Sequence, residues 1–373
     1  MSGQHGESDV ERMVDSARRA ITRDLLDAAL GTGAFGTIVL STNDVELAET
    51  WTEVPAVTVE LDPPDEVFHF GRRLQWLIAR HGIERLVYLG GGCAPLLNAR
   101  ALEDMAERLR TADRLFLCNN FYSVDFCGFT PAAALLTAEP PPNDNSLGWL
   151  LGDSAGLPAK ELPRTAATLF DVDTPVDLVV LSFHPDVPPH TRACLDSLSL
   201  DTRSVEAASA VFVDRQGEVL IGGRVSSSTL AYLERETACR SRVYSEERGM
   251  RADGRLARGE VRSLLGMYVA SVGVERFFGE VLPQLGQAAF LDDRVLWAHH
   301  RVWPPPSDRF NSDLYRVEAI RDPFVRRFTE AATRCPIPVV LGGHSLVSGG
   351  LYVLVEAAWA RSGLVLQSPV ERV

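Results

Sequence analysis

Short apolar runs, each stopped by glycine, asparagine or aspartate and separated by stretches of helical spacing, constrain the fold of this chain more than any other feature. Leu86–Leu89 runs into Gly90, Arg114–Cys118 into Asn119, Ala289–Leu291 into Asp292 and Pro338–Leu341 into Gly342. Thr37–Leu40, Val57–Leu61, Ala210–Asp214, Glu218–Gly222 and Arg242–Ser245 read as further strands. Between them, Val10–Leu30 repeats Val14, Ala17, Ile21, Leu25 and Ala28 on one helical face, and Phe68–His81, Asn98–Arg110, Ser227–Glu236, Pro323–Arg334 and Val347–Trp359 read as helices. Such alternation predicts an α/β protein: a mostly parallel, doubly wound sheet first, then a second α/β domain. The Pro185–Pro189 run places the boundary between residues 1–188 and 189–373.

The 373 residues leave room for two domains, and 46% apolar with 23% charged residues is ordinary globular composition. Lys160 is the only lysine among 37 basic residues, so no Walker-type phosphate lysine exists. A net charge of −13 argues against a nucleic-acid binder, whose phosphate backbone needs massed cations, but leaves local arginine clusters for a small phosphorylated ligand. The six cysteines form no C-x-x-C pair and read as buried thiols of a reducing, cytoplasmic compartment; the polar start does not resemble a signal peptide. Ile337–Ala360 is apolar, yet His344, Glu356 and two glycine pairs suit a buried strand and helix better than a membrane span.

Chemistry concentrates in Phe170-Asp-Val-Asp-Thr-Pro-Val-Asp-Leu178. Asp171, Asp173 and Asp177 follow a strand-like Ala166–Phe170, Thr174 and Asp177 have capping-box spacing, and Pro175 suits the first helical position. This suits a divalent metal and an anion at a helix start, and equally an Asp-rich cap with no ligand. Gly90, Gly91 and Gly92 stand between a strand and a helix, where backbone N–H groups can approach a phosphate or ribose, or simply form a tight turn. Asn119, Asn120 and Asp125 follow another strand, as base-reading or sugar-reading groups or as Asx-turn residues. Arg224, Arg248 and Arg294 each follow a strand of the second half, as ligand cations or as ion-pair partners of Glu246, Glu247, Asp292 and Asp293. Gly31-Thr-Gly-Ala-Phe-Gly36 follows a helix and opens a strand, the reverse of a dinucleotide loop. Gly342-Gly-His-Ser345 lacks the glycine that a hydrolase elbow requires two residues after its serine.

Leu86-Val-Tyr-Leu-Gly-Gly-Gly-Cys-Ala-Pro-Leu-Leu97 and Asp171-Val-Asp-Thr-Pro-Val-Asp-Leu178 together resemble two ordered elements of MobA-like nucleotidyltransferases, over about residues 10–185. The resemblance implies transfer of a nucleotidyl group from a nucleoside triphosphate to a small phosphorylated or carboxylated acceptor. It also implies Mg²⁺ on Asp171 and Asp173 and the nucleotide on Gly90–Gly92. Two departures stand out. The family's aspartate before Pro-Leu-Leu is missing, with Gly92, Cys93 and Ala94 in that neighbourhood, and Asp125 is the candidate replacement. The family's opening phosphate loop has no counterpart either, so Arg224, Arg248 and Arg294 are expected to supply the cations. The alternatives are a protein that binds a nucleotide or sugar phosphate without turnover, and a separate activity in the second domain.

Overall fold

The computed structural model describes residues 6–63 and 66–363. The chain forms two compact units, one centred on Asp15–Val172 with Pro188–Cys194, the other on Glu7–Val14, Asp173–Val187 and the chain from Leu195 onward. The expected boundary after residue 188 divides the chain differently, since Asp173–Val187 packs with the second unit.

In the first unit, β1 (Ile38–Thr42) and β2 (Val57–Leu61) form a parallel pair. A four-stranded sheet runs in the order β3 (Leu86–Leu89), β5 (Phe126–Thr130), β4 (Leu115–Cys118) and β6 (Ala159–Glu161). β5 is antiparallel to both of its neighbours, so this sheet is mixed and not the parallel one expected. Its core gathers Tyr88, Phe116, Cys118, Cys127 and Phe129 with Phe70, Leu74 and Ile78 of the helix Phe70–His81. The helix Ala99–Thr111 starts at Asn98, whose side chain accepts the Ala101 N–H at 3.0 Å.

The second unit carries an all-parallel sheet in the order β10 (Val339–Gly342), β9 (Ala288–Asp292), β7 (Glu218–Gly223) and β8 (Arg240–Ser245). Both faces are covered, as an all-parallel sheet requires. Ala289 and Leu291 of β9 join Leu220, Phe277, Trp297 and Phe328 on one side, while Phe290 stacks on Phe212 with centroids 5.2 Å apart. From β7 the chain moves outward to β8, then returns to the other side of β7 for β9 and β10. The strand order therefore reverses between β7 and β9, where an open α/β sheet leaves a crevice beyond its carboxyl ends.

Two expected strands are helical. Ala166–Leu169 is one turn of α-helix, because Thr165 and Thr168 form a capping box and Thr168 Oγ1 also donates to Pro163 O at 2.6 Å. Val211–Val213 continues the helix Arg203–Ala210 as a 3-10 turn, with Phe212 buried beneath it. The apolar stretch after Ile337 is β10 followed by the helix Gly349–Ser362, and among the described residues no helix is long and apolar enough to cross a membrane.

Candidate functional site: the carboxyl edge of the parallel sheet

In the first unit, protein packing accounts for much of what the glycine and amide motifs do. Gly90 N–H donates to Asp125 O at 3.2 Å, and Val172 N–H donates to Gly92 O at 3.1 Å. A side chain on Gly92, which has φ of +85°, would sit 2.7 Å from Arg18 Cγ, and Arg18 Nε donates to Val172 O at 2.9 Å. The absent Cβ at Gly92 therefore makes room for the Arg18 stem. Asn119, fully buried, accepts the N–H groups of Asp125 and Phe126 through Oδ1 and donates through Nδ2 to Asp125 Oδ2 at 2.7 Å. Asn120 Oδ1 accepts the Tyr122 N–H at 3.2 Å. Both amides act as loop formers, as the Asx-turn alternative anticipates.

Asp171 is half-buried and bridges its backbone to Cys93, so it follows a helical turn and not the expected strand. Burial, and then the Asp125 charge, push the Cys93 thiol well up, which keeps it protonated. Tyr88 O–H donates to Asp144 Oδ2 at 2.9 Å, and burial holds the Asp144 carboxyl above its ordinary value.

Asp173 lies two residues beyond Asp171 but belongs to the second unit, and it is exposed. It precedes the helix Pro175–Ser182, whose capping box is present as the spacing anticipates. Asp177 Oδ2 accepts Asp173 N–H at 3.0 Å, Thr174 N–H at 2.7 Å and Thr174 O–H at 2.9 Å. Thr174 also packs against the turn after β10, where a side chain on Gly343 would meet Thr174 Cγ2 at 3.3 Å. That contact brings the Asp-rich motif to the carboxyl edge of the parallel sheet.

Four strand ends deliver polar groups to this edge: Arg224 after β7, Glu246 after β8, Asp293 and Arg294 after β9, and His344 after β10. Arg224 grips Asp292 through Nε (2.6 Å) and Nη2 (3.0 Å), and its N–H adds a bond at 3.2 Å. Gly223, at φ of +123°, makes this possible, since any Cβ there would stand 2.4 Å from Asp292 Cβ. Burial would push the Asp292 carboxyl up, but Arg224 outweighs it and holds the group below its ordinary value. Arg294 is buried between Asp293, at 2.5 Å, and Asp313, at 2.7 and 2.8 Å. Burial, opposed by Arg294 and reinforced by Asp313, drives Asp293 far above the ordinary carboxylate range. Asp293 Oδ2 is buried without a hydrogen-bond partner. The ion-pair alternative therefore holds for Arg224 and Arg294, and Arg294 is structural. Arg248 is exposed at this edge.

Sequence reasoning missed Arg251, Trp303 and Arg309, and treated His344 only as part of a turn. The guanidinium carbons of Arg251 and Arg309 stand 5.2 and 5.0 Å from the Trp303 ring centroid. Each such contact is worth about 0.5–1 kcal/mol at an exposed site. Partial burial, then Arg224, hold Arg251 below its ordinary value, while burial, then Arg294 and Arg251, push Arg309 down to about 10. Both stay cations at neutral pH, in a neighbourhood already rich in positive charge. Burial, then Arg224, push His344 down to about 4, so its imidazole is neutral. Asp173 acts in the opposite sense on both Arg251 and His344. No local pattern marks these residues, because Arg251 lies in a turn, Trp303 in a coil and Arg309 on the helix Pro306–Asp313.

Fold and edge together define a class: an α/β protein with a four-stranded parallel sheet whose switch point presents arginine, neutral histidine and an exposed carboxylate. No protein-family model matches the chain, and no curated protein matches it in sequence. Among the described residues, no group of three or more His, Cys, Asp or Glu side chains is arranged to hold a metal ion.

Proposed function

We propose that this protein binds a small phosphorylated metabolite or nucleotide at the carboxyl edge of its parallel sheet, and that its reaction is nucleotidyl transfer to a phosphorylated or carboxylated acceptor. One observation carries the reading. Asp173, an acid of the motif that resembles nucleotidyltransferases, lies where its charge acts on Arg251 and His344. Arginine forks suit phosphate oxygens, and transfer at phosphorus relies mainly on positioning and on charge stabilisation. Asp173 would offer carboxylate oxygens to Mg²⁺, which would add charge stabilisation when bound. Arg224 and Arg248 line the edge, and His344, held neutral at pH 7, presents an imidazole that can hydrogen-bond a ligand there.

The test is a thermal-shift screen of nucleoside triphosphates and sugar phosphates with and without Mg²⁺, followed by a transfer assay with an α-phosphate-labelled triphosphate. Wild type should be stabilised by at least one phosphorylated ligand and should transfer label, and Asp173→Asn should lose the Mg²⁺-dependent part of both. Label transfer by Asp173→Asn at the wild-type rate would remove that aspartate from the site. A wild type that binds but never transfers would leave the non-catalytic reading.

A further inference from the structure

Arg224 is paired by Asp292, and Arg294 lies between Asp293 and Asp313, but among the described residues Arg251 and Arg309 have no such carboxylate partner. Among the described residues neither makes an ion pair. Arg309 Nη1 donates to Pro304 O at 2.5 Å, which fixes its position without offsetting its charge. Trp303 lies next to both guanidinium groups, and the three prolines that follow it stiffen the loop that carries the ring. Two like charges held beside one ring repel each other, with Arg224 and Arg294 adding to the field on Arg251. Asp173 offsets part of this field at Arg251, and Asp313 and Glu11 offset part of it at Arg309, but among the described residues no carboxylate pairs with either guanidinium, so both can donate to an anion.

We infer that Arg251, Trp303 and Arg309 form a seat for a phosphoryl dianion, supplied either by a phosphate monoester or by the terminal phosphate of a diphosphate. The guanidinium groups donate to its oxygens, and the indole walls one side of the seat. The seat shares the phosphorylated ligand of the proposed function but needs no transfer chemistry.

Isothermal titration of the full chain with inorganic phosphate and with inorganic pyrophosphate, at fixed ionic strength, tests it. Wild type should bind at least one of them saturably, with preference for pyrophosphate pointing to a diphosphate and preference for phosphate to a monoester. Arg251→Met and Arg309→Met should each weaken binding at least tenfold. Arg327→Met, which breaks only an exposed pair with Glu275, should leave it unchanged. Arg309→Lys keeps charge but not the fork, and should fall between wild type and Arg309→Met. Arg251 is exposed, so its variant reads out even if Arg309→Met folds poorly. No saturable binding by wild type, or wild-type affinity in folded Arg251→Met, would overturn the seat. Phosphate binding that both methionine variants lose, in a protein that transfers no nucleotide, would keep the seat and discard only the transfer reading.

Discussion

Asp177 accepts three hydrogen bonds on one carboxylate oxygen, while the other, also buried, has no partner. Burial, then the Asp173 charge, push its pKa up from 3.8 to about 8, against the pull of the Thr174 bonds. Between these values the folded chain binds a proton that the unfolded chain has released. The protonated carboxyl therefore supports folding below about pH 4, and that contribution is lost as pH rises towards about 8. Asparagine keeps an acceptor for the cap and cannot ionise. Asp177→Asn should then flatten the decline in stability between about pH 4 and pH 8, leaving the variant relatively more stable at the alkaline end. Urea unfolding at several pH values measures this, and parallel profiles for the two proteins would show that Asp177 does not titrate in that range.

Among the elements, β5 leaves little room for an added side chain at its centre. Phe126–Thr130 is buried along its whole length between β3 and β4, and a Cβ on Gly128 would stand 2.8 Å from Leu109 Cδ1 of the helix Ala99–Thr111. Gly128→Val should overpack this contact and cost about 1–3 kcal/mol, read as a lower urea midpoint with an unchanged slope. Wild-type stability would mean that the helix yields freely at Leu109. The strand escaped sequence reading because Phe-Cys-Gly-Phe-Thr has no alternation and follows the Asn119–Asp125 loop, so nothing local separates it from that loop. Ala166–Phe170 and Ala210–Asp214 failed in the opposite direction, since short apolar runs carry no period and their caps and packing decide. The periodic helix Ser227–Glu236 was legible, and so was the strand Leu86–Leu89, a short apolar run stopped by glycine. So was the capping box at Thr174, because its chemistry is local. Arg224, Arg248 and Arg294 were legible as strand-end residues, but only the fold shows which of them a carboxylate neutralises. Arg251 and Arg309, 58 positions apart in sequence, become neighbours only through Trp303.

For the whole chain, a net charge of −13 coexists with a sheet edge at which arginines depress one another's basicity. A negative surface repels polyanions in general, whereas a small anion within a Debye length of the edge, about 8–10 Å in ordinary buffers, meets the local positive field. That contrast favours a phosphorylated metabolite over nucleic acid, and it follows from where the parallel sheet reverses its strand order. The central claim is that this edge, beyond β7 and β9, is where a phosphoryl group binds. Its most direct measurement is the anomalous difference density of crystals of the full chain soaked in tungstate, an electron-dense oxyanion that mimics phosphate. The account predicts an ordered peak within hydrogen-bond reach of the Arg251 and Arg309 guanidinium groups, beside Trp303, that disappears in Arg251→Met crystals. Ordered tungstate found only elsewhere, for instance against the Gly90–Gly92 turn, would contradict it.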